Sequence, residues 1–166
     1  MRDLMEYANS CMDKLDAIGI RYGNVRNFKI NSRAKSRWGR CKKVNGVFEI
    51  EISDRLLDEK NDESGLENTI IHELLHTVPG CMNHGPNWKR LADKVYSAYG
   101  IEIKRCATAE EKGVDPIEEV KEYKYFLRCP DCGYVFKYMR ETKAVKNPEK
   151  YRHPGCLHTL ERIYEI

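Results

Sequence analysis

Leu4, Ala8, Cys11, Met12, Leu15 and Ile18 recur at the spacing of one helix face, so residues 3 to 17 are expected to form an amphipathic helix that stops near Gly19. The texture then changes to that of strands. Segments 25–32 and 37–44 and the alternating run Val47-Phe48-Glu49-Ile50-Glu51-Ile52 read as β-strands, with Asn45-Gly46 as the hairpin turn between the last two. A second helix is expected after Asn61-Asp62-Glu63. There Ser64-Gly65-Leu66-Glu67 has the form of a capping box, and Leu66, Ile70 and Leu74 with Ile71, Leu75 and Val78 supply buried sides. Gly85-Pro86 opens a third helix, with Trp88, Leu91, Ala92, Val95, Ala98 and Tyr99 on one face and Gly100 at its end. Residues 107–122, with Glu110, Glu111, Asp115, Glu118, Glu119 and Glu122 around Gly113 and Pro116, read as an acidic connector or exposed turn of helix. Three strands are expected beyond it, at 123–127, 134–140 and 157–163.

At 166 residues the chain has length for one medium domain, or a small domain with an appendage. A net charge of +3 gives no global polycation, so nucleic-acid binding must rest on local patches. The first residues carry no apolar segment and nowhere do eighteen uncharged apolar residues run together. A cytoplasmic protein without membrane association is therefore expected. The seven cysteines are odd in number, and three of them cluster near the end, which favours metal binding in a reducing compartment over disulfides.

The chemistry concentrates in the second helix, where Ile70-Ile71-His72-Glu73-Leu74-Leu75-His76 carries the H-E-x-x-H pattern. Side chains four apart on a helix lie about 5–6 Å from one another, so His72 and His76 can converge on one zinc ion. Glu73 is rotated away from the ligand position but can reach a water that zinc activates, as a general base must. A catalytic zinc takes three protein ligands and keeps a fourth position open. His84 is the favoured third ligand, past a Pro79-Gly80 turn, with Cys81 and Asp93 as rivals. Trp88 reads as packing behind the third ligand.

A second metal site is legible near the end. Cys129-Pro130-Asp131-Cys132 and His153-Pro154-Gly155-Cys156 pair a C-x2-C with an H-x2-C, the pattern of a closed structural zinc ribbon. His158 is an alternative nitrogen ligand. Lys121, Lys124, Arg128, Lys137, Arg140, Lys143, Lys146, Lys150 and Arg152 make this segment basic, with Tyr125, Phe126, Tyr134, Phe136, Tyr138 and Tyr151 interleaved. Cations beside stacking aromatics suit single-stranded nucleic acid, although a solvated face over a small aromatic core has the same composition. A second basic run, Arg33, Lys35, Arg37, Arg40, Lys42 and Lys43 around Trp38, could guide a polyanion or an acidic substrate if it lies at a cleft rim. Arg37, Trp38, Arg40, Lys137 and Arg140 are the candidate nucleic-acid contacts.

Taken in order, Trp38-Gly39-Arg40-Cys41, Ile50-Glu51-Ile52-Ser53 before Arg55-Leu56-Leu57, the H-E-x-x-H helix, His84-Gly85-Pro86-x-Trp88 and the terminal ribbon resemble the SprT-like family over residues 20–166. The resemblance implies an α+β fold: a minimal zincin domain (1–106) of helices packed on a small antiparallel sheet, the acidic connector (107–122), and a small β zinc ribbon (123–166). It also implies His72, His76 and His84 as zinc ligands and Glu73 as acid/base. Spartan-type members cleave proteins crosslinked to DNA and are activated by DNA, so DNA–protein crosslink repair is the role implied. This chain departs from the Spartan pattern in placing His153 where a Cys is common and in lacking a long tail of partner-binding motifs.

The expected activity is that of a zinc endopeptidase acting on nucleic-acid-associated proteins, with one catalytic and one structural Zn2+. Protein substrates and single-stranded DNA are the expected partners of a monomer. Extended substrate would add to the 47–53 strand edge, and Arg40 is a candidate for stabilising the oxyanion. The alternative is a DNA- or RNA-binding or regulatory zinc module with negligible peptidase activity.

Overall fold

Helix α1 (Leu4–Ala17) begins where the Asp3 carboxylate accepts the backbone N–H groups of Met5 and Glu6, and it buries Leu4, Ala8, Cys11 and Leu15. In the computed structural model, residues 1–34, 36–116 and 122–164 are described. Lys35, Glu118, Glu119 and Lys121, all named above for their charge, lie outside them. The chain divides into two compact units, Met1–Ile117 and Glu118–Ile166. Both contain helix and small sheets, so the fold class is α+β.

In the first unit, strands β1 (Val25–Asn31), β2 (Gly39–Val44) and β3 (Val47–Ser53) form one sheet in the order β1-β3-β2. The Asn45-Gly46 hairpin joins β2 and β3 antiparallel, but β1 runs parallel to β3. The sheet is therefore mixed, not purely antiparallel, because the chain crosses over between β1 and the hairpin instead of turning back. The position of β3 also overturns an expectation. It lies between two partners, so its edge cannot receive a substrate; the strand bordering the metal helix with a free edge is β2.

Helix α2 (Glu63–Thr77) runs through the core, with Leu66, Ile70, Ile71, Leu74 and Leu75 fully buried among residues of α1, β3 and α3 (Pro86–Tyr99). Its cap is not the expected Ser64–Glu67 box. Asp62 accepts the Ser64 backbone N–H at 2.8 Å, and Glu67 instead pairs with Lys14 of α1. A carboxylate one turn inside the helix gains more from the facing ammonium than from a backbone N–H that Asp62 frees from needing it.

In the connector, Glu110, Glu111 and Asp115 are exposed and Glu110–Lys112 form one turn of 3-10 helix, in keeping with an exposed turn, but the segment is not solvated throughout. Residues 107–116 fold back on α2: Val114 joins the main core, Lys112 is only 6% exposed, and the Arg55 guanidinium donates to the Asp115 carbonyl at 2.6 Å. A Cβ at position 65 would come within 2.2 Å of the Lys112 carbonyl oxygen, so glycine in the first turn of α2 is what lets this segment approach.

In the second unit, β4 (Tyr125–Arg128) pairs antiparallel with both β5 (Val135–Tyr138) and β6 (Glu161–Ile163). A short helix α4 (Lys143–Lys146) completes it. The last strand is shorter than the expected 157–163, since Leu157 turns through a left-handed conformation (φ 58°). Its fully packed core is small: Leu127, Cys129, Val145 and Leu160. No helix among the described residues is long and apolar enough to cross a membrane.

Candidate metal centre and cleft

On the stripe of α2 that carries His72, Glu73 and His76, the first two line a cavity of about 260 Å³ bounded by the start of β2 and by residues 104–107 and 112. The turn after α2 brings His84 back to the same stripe. His72 Nε2 stands 3.2 Å from His76 Nε2 and 3.0 Å from His84 Nε2. Zinc held tetrahedrally by nitrogens at about 2.0–2.1 Å would space them about 3.3 Å apart, so the three rings fit one such ion. The rings are fixed from behind. His72 Nδ1 bonds the Lys104 carbonyl at 3.0 Å and His76 Nδ1 the Cys81 carbonyl at 2.7 Å, leaving each Nε2 to face the centre.

The rival ligands fall elsewhere. Cys81 contributes its carbonyl to His76 while its thiol is buried outside the converging donors, and Asp93 lines a separate hollow beside Gly19 and Arg90. Trp88 packs against all three imidazoles, with ring centroids 4.9, 5.8 and 4.7 Å from His72, His76 and His84. It is thus the floor of the whole cluster and not merely backing for the last ligand.

Burial, reinforced by the neighbouring imidazoles, pushes the His72 pKa down to about 3, and burial lowers His76 and His84 as well. Neutral imidazoles with free lone pairs are the form a metal takes. Glu73 is 7% exposed and burial pushes its pKa up to about 7, opposed by the Cys41 backbone N–H, Lys112 and Arg37.

The Cys41 N–H reaches Glu73 because of strand register. Ser53 N–H donates to the Trp38 carbonyl at 2.8 Å, so in this antiparallel pair residues 38, 40, 42 and 44 turn their backbone groups toward β3. Gly39, Cys41 and Lys43 turn theirs to the open edge. A Cβ on residue 39 would lie 2.5 Å from Glu73 Oε1, so Gly39 is the seat of this carboxylate, a role the H-E-x-x-H pattern does not disclose. The Gly39→Ala protein is expected to keep its zinc, because the histidines are untouched, yet to lose about 10²-fold in kcat through displacement of Glu73. Metal analysis beside steady-state kinetics checks this; an unchanged kcat would refute it.

The candidate nucleic-acid residues are divided between the units, Arg37, Trp38 and Arg40 in the first and Lys137 and Arg140 in the second. Arg37 lines the cavity and stands 3.5 Å from Glu51, whereas Arg40 is exposed and does not line the cavity. Trp38 has little ring left for a base. Its Nε1 donates to the Ala107 carbonyl at 3.0 Å and the Arg55 guanidinium lies 4.7 Å above it. Lys42 pairs with Glu51 at 2.9 Å, so β3 neutralises part of the basic run. Lys137 and Arg140 are exposed in the second unit, where Tyr134 stacks on His153 and is 56% exposed. Lys112, which composition placed in an acidic exposed stretch, is the cleft residue that sequence reasoning missed.

In the second unit Cys129, Cys132, His153 and Cys156 bring four donor atoms within 4.8 Å of one another. Cys129 Sγ is 3.2 Å from Cys156 Sγ, and His153 Nδ1 is 3.0 Å from Cys156 Sγ. Three thiols with one imidazole, closed on all sides, are consistent with zinc in a ribbon. His158 sits beside this set, its Nδ1 3.3 Å from Asp131.

Comparison with curated proteins finds no match. A family model does match, the SprT-like family, over residues 8–107. That span holds the whole of the histidine cluster, Glu73 and the β2 edge, and the chain belongs to the SprT-like family, which is associated with zinc-metallopeptidase-type domains.

Proposed function

We propose that the chain is a zinc-dependent endopeptidase acting on nucleic-acid-associated proteins. The observation that carries this reading is the convergence of three imidazole nitrogens, 3.0 and 3.2 Å apart about His72, which lines one cavity together with Glu73. His72, His76 and His84 would hold the ion. Zinc, when bound, supplies the Lewis acid that polarises the scissile carbonyl and makes water a nucleophile near neutral pH. An extended substrate pairs with the outward backbone groups of β2, which sets its scissile bond beside Glu73. Glu73 takes the proton from the attacking water and passes it to the departing amine, so one carboxylate serves both half-steps. Cys129, Cys132, His153 and Cys156 would hold a second ion that organises the ribbon and leaves no open position for chemistry.

The exposed Lys137, Arg140 and Tyr134 of the ribbon support a single-stranded DNA partner, through phosphate contacts and stacking. The test is cleavage of a DNA-binding protein by zinc-loaded protein, with and without single-stranded DNA. DNA-stimulated cleavage is expected. DNA binding without cleavage would favour a binding or regulatory module, and cleavage indifferent to DNA would leave the peptidase and remove the partner.

A further inference from the structure

The cavity beside His72 and Glu73 holds more cations than carboxylates. Arg37, Lys104, Arg105 and Lys112 line it, against Glu73 as its only lining carboxylate among the described residues. Two of the four are engaged elsewhere, Lys104 with Glu111 at 2.9 Å and Arg37 with Glu51 at 3.5 Å. Arg105 and Lys112 form no salt bridge among the described residues. Lys112 is the more telling. Its side chain is buried, and its Nζ donates to Asn68 Oδ1 at 2.5 Å. The Glu73 and Glu111 carboxylates attract it without bonding it, so among the described residues only one of the ammonium's three N–H donors, the one on Asn68, has an acceptor, and a further anion in the cavity would complete it.

We propose that this cavity is a subsite for a substrate carboxylate, and that Lys112, assisted by Arg105, selects an acidic side chain next to the scissile bond. The inference rests on the peptidase reading and names its substrate class. The indole of Trp38, bonded to the Ala107 carbonyl, closes the cavity on one side. At about 260 Å³ the cavity has the size of a side-chain pocket, whereas a nucleic-acid strand needs a continuous track. A peptide's C-terminal carboxylate has the same chemistry as an aspartate or glutamate side chain, so the two sources must be separated by experiment.

Peptides of one sequence, acetylated and amidated, would carry Glu, Gln or Lys at each position flanking the cleaved bond. At one position kcat/KM is expected to favour Glu over Gln by about tenfold or more, as a charge-assisted hydrogen bond in a desolvated pocket does, with Lys poorest. Lys112→Met keeps the aliphatic stem in its packing, and the Glu/Gln ratio is expected to fall to near one. Arg105→Gln, at an exposed residue, is expected to lower the ratio less, and it carries the test if Lys112→Met fails to fold. The same ratio is read without turnover by fluorescence anisotropy of labelled peptides on the Glu73→Gln protein.

Equal binding of Glu and Gln peptides by the parent, or a preference that survives both substitutions, would overturn the subsite. Preference for a peptide with a free C-terminal carboxylate over internal Glu would overturn the side-chain assignment. A Lys112-dependent binding preference with no cleavage of any peptide would support the subsite and sink the peptidase reading instead.

Discussion

Zinc-loaded Glu73→Gln protein is expected to hydrolyse a peptide about 10³-fold more slowly than the parent, within the range attributed to a positioned general base. The substitution keeps the shape of the side chain over Gly39 and removes only its capacity to take a proton. His72, His76 and His84 keep their Nε2 convergence and the backbone anchors of His72 and His76, so zinc content and thermal stability should match the parent. KM should move little, because in the proposed mode the substrate pairs along β2 and not through the carboxylate. Single-turnover kinetics with metal analysis on both proteins measures this. Parent-like turnover in the substituted protein would remove Glu73 from the mechanism, and loss of zinc would show that its effect is structural.

Cys129→Ser is the second substitution with a large expected effect, and it acts on folding. Among the described residues, four make up the buried core of the second unit, and its strands are only three or four residues long. So little apolar burial does not offset the entropy of ordering the segment. Structural zinc contributes about 10 kcal/mol or more to folding in small zinc domains, and one lost thiolate forfeits most of it. The variant should bind one zinc fewer per chain and lose amide protection across β4, β5 and β6, while amides of α1 and α2 stay protected. Hydrogen exchange read by NMR separates these outcomes. Protection retained in β4 without the metal would show that the ribbon stands on its own packing.

Several elements were legible in the sequence because their causes are local. The α1 face follows from spacing, the hairpin from Asn45-Gly46, and the two histidines of α2 from a four-residue repeat. The pairing of C-x2-C with H-x2-C likewise names its own donors, which the chain brings together. Charge content is a poor guide to exposure. Residues 107–116 looked solvated because they are acidic, yet Val114 and the Lys112 stem find places against α2, with Gly65 making room. The Ser64–Glu67 box is a valid local pattern, but Glu67 faces Lys14 from another helix, and the tertiary pair prevails.

The sequence by itself determined the helix faces, the hairpin and the donor types of both metal clusters, because each depends on neighbours within a turn or two. Tertiary structure alone decided that His84 completes the first cluster over Cys81 and Asp93, that β2 and not β3 offers an open edge, and that Gly39 seats the carboxylate of Glu73. It also brought Lys112 into the cleft. These depend on strand order, register and the path of a loop, which are set by packing between residues far apart in the chain, and no spacing within a segment records them.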